Sequence, residues 1–97
     1  MVRLDAGNVL LKPSHRRQLM GSLRRSLRLG ERLGNFLLTI TMQRVGRQYQ
    51  LLATVRDSCG QFQCKIRSRD VGDAIRDIVR SVTSRLHDQC VRQLAIA

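Results

Sequence analysis

The chain has few of the residues that usually build a disulfide-stabilised fold or an aromatic pocket. It contains two phenylalanines, one tyrosine and no tryptophan in 97 residues, so its core must be mostly aliphatic. Its cysteines (Cys59, Cys64 and Cys90) are odd in number and lack zinc-ligand spacing, which favours reduced thiols in the cytosol. The N-terminus has early charge and no long apolar run, which excludes a signal peptide and a membrane span there. We therefore expect a cytoplasmic protein without a membrane partner.

Acidic residues are also scarce. Seven aspartates and glutamates stand against eighteen basic residues, which gives a net charge of +11. All of the basic residues except Lys12 and Lys65 are arginine. Such an excess favours a polyanionic partner, namely nucleic acid, an anionic membrane surface or an acidic protein. Arginine suits phosphate because its planar guanidinium can bind two oxygens at once.

Patterns typical of catalysis are missing from the sequence. His15 and His87 have no carboxylate or cysteine partner close by in the chain, and Cys59 has no neighbouring base. A glycine-rich phosphate loop is absent as well. We therefore expect no enzymatic activity, no cofactor, no metal site and no small-molecule substrate.

The hydrophobic pattern predicts two helices and four strands. Pro13 is well placed to begin the first helix, which we expect to end near Leu29 with Gly30 as its terminator. Asp70 is a good N-cap for the last helix. The predicted strands have alternating polarity, with turns between them. They cover residues 2–6, 36–42, 48–56 and 61–67, and the turns cover 7–8, 44–47 and 57–60.

The order of these elements, β-α-β-β-β-α, predicts an α+β fold in which two helices pack on one face of a four-stranded mixed sheet. We expect one domain over residues 1–97. The first strand, helix and second strand form a crossover, so the first two strands should be parallel if they are adjacent.

The two predicted helices distribute their charge differently. The apolar stripe of the first helix contains Leu19, Met20, Leu23 and Leu27. At about 100° per residue its arginines Arg17, Arg24, Arg25 and Arg28 fall within one arc, which Arg32 joins if the helix continues past Gly30. This helix has no acid before Glu31, and we interpret its arginines as phosphate ligands. The second helix intersperses aspartates among its arginines and includes Asp88 and Arg92 as a possible i,i+4 pair.

Two other nucleic-acid-binding folds were compared with this pattern. A KH domain needs a GxxG loop between helices, and residues 30–34 have the wrong spacing for one. A double-stranded RNA-binding domain shares the α-β-β-β-α order, but such domains usually begin the last helix with lysines, where this chain has Asp70 and Asp73. That fold remains an alternative. So does a protein-interaction module that uses the same arginines on an acidic partner.

As an ordered set, the segments resemble the family of ribosome hibernation promoting factor and ribosome-associated inhibitor A, also called sigma-factor modulation proteins. The resemblance extends from Leu4 to about Arg92. It rests on Leu11-Lys12-Pro13 before the first helix, Leu23 and Leu33 ten residues apart, the three-strand meander, and Asp70-Val71-x-x-Ala74-Ile75 at the last helix. Within this family the chain is similar to a divergent short form.

The resemblance implies a ribosome-binding translation regulator. Such a protein contacts ribosomal RNA of the small subunit through basic helix residues, blocks the channel for messenger and transfer RNA, and promotes ribosome hibernation under stress. Arg25 and Arg28 match positions that are typically basic in the family, and Arg24, Arg80 and Arg85 lie beside such positions. The predicted RNA-binding residues are therefore Arg17, Arg24, Arg25, Arg28, Arg32, Arg80 and Arg85. The sequence leaves the oligomeric state open.

Overall fold

The computed structural model describes residues 2–32, 36–57 and 60–96, without the side chains of Arg25, Leu29, Arg32 and residues 93–96. The predicted order of helices and strands is confirmed, except that a break at Leu23 divides the first helix into two. The elements are β1 (Val2–Asp5), α1 (Pro13–Ser22), α2 (Arg24–Arg32), β2 (Leu37–Val45), β3 (Gln48–Asp57), β4 (Gly60–Ser68) and α3 (Val71–Ile96). Leu33 and the hairpin residues Ser58 and Cys59 lie outside the described residues.

The sheet has the strand order β1-β2-β3-β4. β1 is parallel to β2, with Val2 opposite Leu38, and the other two pairings are antiparallel. The predicted mixed sheet and its parallel first pair are thus confirmed. The Asn8 side chain extends the β1 edge, because it donates to the Arg44 carbonyl (3.3 Å) and accepts from the Arg44 N–H (2.8 Å).

The hairpin between β2 and β3 is tighter than the sequence predicted. Arg44 and Val45 belong to the ladder, opposite Tyr49 and Gln48, so the turn contains residues 46–47 rather than 44–47. Gly46 has a φ of 61°, in the left-handed region that two-residue hairpins of the right twist require. Glycine at this position therefore makes the shorter turn possible.

Alternation along the strands divides the sheet into a buried and an open face. Inward-facing residues of β2, β3 and β4 are buried together with one side of α3, which confirms the predicted core positions. The strand residues of this core are Leu38, Ile40, Met42, Leu51, Ala53, Val55, Phe62 and Cys64. Those of α3 are Ala74, Ile75, Ile78, Val79, Val82 and Leu86. Each fully buried large aliphatic side chain stabilises the fold by about 1.5–3 kcal/mol relative to exposure.

The buried stripe of α1 and α2 differs from the predicted one. Leu19 and Leu23 are fully buried as expected, but Met20 is 44% exposed and Leu27 is only partly buried. Ser26 is buried in their place, with its Oγ 2.5 Å from Oγ1 of Thr83 on α3. This hydrogen bond satisfies two hydroxyls in the helix interface. A polar residue in the stripe was unexpected because hydrophobic periodicity counts only apolar positions.

Gly30 lies inside α2 and does not terminate it, so the prediction of a C-cap glycine was wrong. A Cβ atom on Gly30 would lie 2.6 Å from the Phe36 ring. The absence of a side chain therefore lets the aromatic ring pack directly on the helix. The helix continues for two more residues, to Arg32.

The N-terminus of α3 has the predicted cap. The Asp70 carboxylate accepts a hydrogen bond of 2.9 Å from the Asp73 N–H, and Asp73 lies 3.4 Å from the Arg76 guanidinium. Asp73 and Arg76 thus form an ion pair within α3. The predicted ion pair between Asp88 and Arg92 is not observed in the described part of the chain. Exposed pairs of this kind contribute little to stability.

The glycines of α1 and α2 should respond oppositely to alanine substitution. Gly30→Ala should lower the free energy of unfolding by about 1–3 kcal/mol, because its methyl group would overlap the Phe36 ring. Gly21→Ala should raise it by about 0.5–1 kcal/mol, because nothing lies within 4 Å of its added Cβ and alanine is the better helix former. Urea unfolding of both variants measures the difference. Equal effects would contradict the close approach of Phe36.

Candidate nucleic-acid interface

The arginines of α1 and α2 keep one helical phase across the break. The Leu23 N–H donates to the Leu19 carbonyl (3.0 Å), and the Leu27 N–H donates to the Leu23 carbonyl (2.9 Å). Because these i,i+4 bonds continue through the break, residues on its two sides remain in helical register. We define the arginine face as the exposed side chains of Arg17, Arg24 and Arg28.

The arginine face points away from the core. At about 100° per residue its centre lies about 150° from the centre of the buried stripe. That stripe contains Leu19, Leu23, Ser26 and Gly30. Arg25 and Arg32 have their backbone in α2, but their side chains lie outside the described residues, so their part in this face stays a prediction.

Acidic residues do not neutralise the arginine face. Glu31 is the only acid of α1 and α2, and it lies near the end of α2. Among the described residues, no ion pair involves the three arginines of the face. Arg17 instead donates from Nε to the Pro13 carbonyl of its own helix, at 3.5 Å. Like charges three and four residues apart disfavour the helix by a few tenths of a kcal/mol per pair, so this charge is concentrated at a cost to stability.

Arg80 lies across a groove from this helix pair. The groove has a volume of about 450 Å³ between the end of α1 and the middle of α3. It is lined by five polar residues and one valine, although the larger part of its lining surface is apolar, and these residues are Ser22, Val79, Arg80, Thr83, Ser84 and His87. Three hydroxyls, a guanidinium and an imidazole therefore surround a space that is open to solvent. A hydrogen-bonding anion matches this donor set.

Arg85 does not join the other predicted site residues. It lies about 140° from Arg80 around α3, on the side of the edge strand β4. Its guanidinium is 4.7 Å from the centroid of the Phe62 ring and donates to the Gln63 carbonyl at 3.3 Å. These contacts direct the side chain, which stays exposed, toward β4 and away from the arginine face. The spacing of arginines along α3 could not show this, because the contact depends on where β4 lies.

The Arg85 guanidinium also influences a buried thiol. Desolvation by burial raises the pKa of Cys64, and the positive charge and hydrogen bonding of Arg85 oppose that rise. Cys64 therefore stays protonated at neutral pH and is a poor nucleophile. Cys90 is partly buried and packs against the core.

The described part of the chain has neither a metal-binding cluster nor a membrane-spanning helix. There, no group of three His, Cys, Asp or Glu side chains could hold a metal ion. Within the same residues, none of the helices combines the length and apolarity needed to cross a membrane. Nδ1 of His15 is buried, and the described residues offer it no hydrogen-bond partner.

Solved structures of two proteins closely match the arrangement of helices and strands. A ribosomal subunit interface protein from Coxiella burnetii superposes with a TM-score of 0.71, covers 91% of this chain and 94% of its own, and is 12% identical. The N-terminal domain of Thermus thermophilus Protein Y superposes with a TM-score of 0.71, covers 87% of this chain and 91% of its own, and is 17% identical. The chain has the hibernation promoting factor fold. No protein-family model and no curated protein matches its sequence.

This match confirms the fold that the family resemblance implied. The sequence pattern did not predict that four residues of the groove are neighbours, namely Ser22, Thr83, Ser84 and His87. A signal for them was present, because Ser22 and Ser26 interrupt the leucine pattern of the first helix at i,i+4 spacing. Of these two serines, Ser26 is buried where α3 approaches closely, as its bond to Thr83 shows, whereas Ser22 stays exposed and lines the groove.

The buried thiol should make the protein less stable at alkaline pH. Because burial raises the pKa of Cys64 above its ordinary value of 9.0, the unfolded chain loses this proton first. The contribution to stability is therefore constant below that value and falls as pH rises above it, by at most about 1.4 kcal/mol per pH unit. Urea unfolding across this range should show a steeper decline for the wild type than for Cys64→Ala. If the two proteins lose stability in parallel, the raised pKa of Cys64 is contradicted.

Proposed function

We propose that this protein binds the small ribosomal subunit and regulates translation, through contacts between the arginine face and the phosphate backbone of ribosomal RNA. The observation that carries the proposal is a row of exposed arginines, without neutralising acids, on the side of the helices opposite the core. The fold supports it, because one protein with this fold is named a ribosomal subunit interface protein. Arg25 and Arg32 belong to the proposed interface by their positions in α2.

The chemistry of the interface favours recognition of shape and phosphate over recognition of bases. Guanidinium groups bind phosphate oxygens in bidentate pairs, which are stronger than neutral hydrogen bonds. The three aromatic residues of the chain lie outside the arginine face, so this face offers no aromatic side chain on which a base could stack. Such contacts position a protein on structured RNA with little dependence on sequence.

The regulatory consequence follows from occupancy. A protein held by the small subunit in the channel for messenger and transfer RNA would exclude both by its volume. Translation would stop without any chemical step, and the ribosome would be kept in an inactive, hibernating state during stress. This role places the protein in the cytoplasm and needs neither a cofactor nor a small-molecule substrate.

Charge reversal on the arginine face should weaken binding to the small subunit. Arg24→Glu/Arg28→Glu should reduce co-sedimentation with purified small subunits about tenfold or more, and should lower the slope of log affinity against log salt by about two. Glutamate is as good a helix former as arginine, so the fold should persist. Circular dichroism checks that it does.

The matched control is Arg47→Glu/Arg69→Glu, which makes the same change in net charge at exposed positions outside α1 and α2. It should bind much more tightly than the variant of the arginine face. If both double variants bind equally well, net charge rather than the arginine face determines the affinity, and the proposal fails. If the wild type retains its partner in a pull-down after nuclease treatment, an acidic protein is the partner instead.

Alanine substitutions of Arg80 and Arg85 should have different effects, because the first residue is predicted to bind RNA and the second to stabilise the fold. Arg80→Ala should weaken subunit binding and lower the salt slope by about one, because this side chain faces the groove beside α1. Arg85→Ala should leave the slope unchanged and lower the free energy of unfolding by about 1 kcal/mol, because it loses contacts to Phe62 and Gln63. Co-sedimentation and urea unfolding of both variants measure this. The opposite pattern would contradict the placement of these two residues.

A further inference from the structure

The sheet surface that faces away from the helices is basic as well. We define the open sheet face as the solvent-facing side of the four strands. Its exposed basic residues are Arg3, Arg56, Lys65 and Arg67. Asp5 is the one acid at the solvent-facing strand positions of the described residues, and its Oδ1 accepts a hydrogen bond of 3.0 Å from the Gly7 N–H. The remaining side chains of this face are mainly threonine and glutamine, which are uncharged.

Glutamines hold two of the guanidiniums against the sheet. Arg56 lies opposite Gln61 and donates to its side-chain oxygen at 3.4 Å. Arg67 lies opposite Gln50 and donates to its side-chain oxygen at 3.2 Å. Each contact uses one of the five N–H groups of a guanidinium, so donors remain for an external anion. Arginines that are oriented in this way lose less conformational freedom when they bind.

The charges of β3 and β4 form a track. Arg56 lies four residues from Leu52, which is the partner of Lys65, and six residues from Gln50, which is the partner of Arg67. At about 3.4 Å per residue, the three charges extend over about 20 Å of the sheet. The strand partners therefore place cations along a line, which matches the linear charge of a nucleic-acid backbone.

The open sheet face and the arginine face lie on opposite sides of the molecule. The helices and the buried core separate them, since all strand residues of the core point toward the helices. The smallest dimension of the Cα trace is 17 Å. A short stretch of backbone that binds one of these surfaces therefore cannot reach the other.

We propose that the open sheet face binds a second segment of RNA backbone, so that one protein molecule bridges two RNA segments. The inference rests on the proposed function for the identity of the polyanion. Forked arginines on a flat face favour phosphate over the scattered carboxylates of an acidic protein. Tyr49 and Phe62 face the core, and the open sheet face offers no aromatic ring for base stacking. The second contact is therefore sequence-independent and sensitive to salt.

The stoichiometry of RNA binding tests the proposal. The probe is a short RNA duplex at low salt, and sedimentation velocity measures how many duplexes each protein molecule carries. The wild type should carry two duplexes, and Arg56→Gln/Lys65→Gln/Arg67→Gln should carry one. Glutamine already occupies several positions of this face, so the variant should fold, which circular dichroism checks. A mixture of donor-labelled and acceptor-labelled duplexes should show energy transfer with the wild type and none with the variant.

A control variant removes the same charge at the end of the sheet, namely Arg44→Gln/Arg47→Gln/Arg69→Gln, and should still bridge two duplexes. If the sheet variant also carries two duplexes with an unchanged salt dependence, the proposal is overturned. It is equally overturned if that variant still carries two duplexes but loses binding to polyglutamate, since an acidic protein is then the occupant of the open sheet face.

The failure of one proposal can be distinguished from the failure of the other. Arg24→Glu/Arg28→Glu tests the arginine face on small ribosomal subunits, where the proposed function predicts loss of binding. In the duplex assay the same variant should carry one duplex, bound by the open sheet face. Loss of only subunit binding, with two duplexes still carried, contradicts bridging from opposite faces. A different result contradicts the proposed function alone. In that case Arg24→Glu/Arg28→Glu binds small subunits as well as the wild type does, while the sheet variant carries one duplex.

Discussion

The close approach of α2 to α3 and to Phe36 determines which side of α2 faces the core and which side faces solvent. Ser26 is fully buried and shares a hydrogen bond with Thr83 of α3, and Gly30 leaves space for the Phe36 ring. Larger residues at either position would push the helix outward, because protein interiors are packed without room to spare. These two small residues set the rotation of α2 about its axis. That rotation directs Arg24 and Arg28 away from the sheet.

Arginine has three different roles in this chain, and the neighbours of each arginine decide between them. On the arginine face, no ion pair among the described residues offsets the mutual repulsion of the guanidiniums. At the edge strand, Arg85 is occupied by the Phe62 ring and the Gln63 carbonyl. On the open sheet face, glutamines orient Arg56 and Arg67 without neutralising them. Net charge alone describes none of these differences.

The two basic surfaces are built by different elements of secondary structure. A helix repeats every 3.6 residues, so the arginines at 17, 24 and 28 converge on one side. A strand repeats every two residues, so alternate positions of β3 and β4 carry polar side chains opposite the core. Because the helices cover only one face of the sheet, the second surface stays open to solvent. A small chain can therefore present cations on both sides while it buries one aliphatic core.

The sequence by itself determined the order of the elements and the core positions of the sheet, because periodicity and turn residues are local signals. It predicted a parallel first pair of strands on the condition that they are adjacent, which the sheet order meets. It also located the arginines of the first helix, since their spacing is a property of the helix alone. The tertiary structure decided which side of that helix is buried, because Ser26 and Gly30 are selected by the space between elements and not by hydrophobicity. It likewise separated Arg80 from Arg85, as only the position of β4 beside α3 gives Arg85 a partner within the fold. Local patterns determine which positions of a helix or strand share a face, whereas contacts between distant segments decide which neighbours each side chain has.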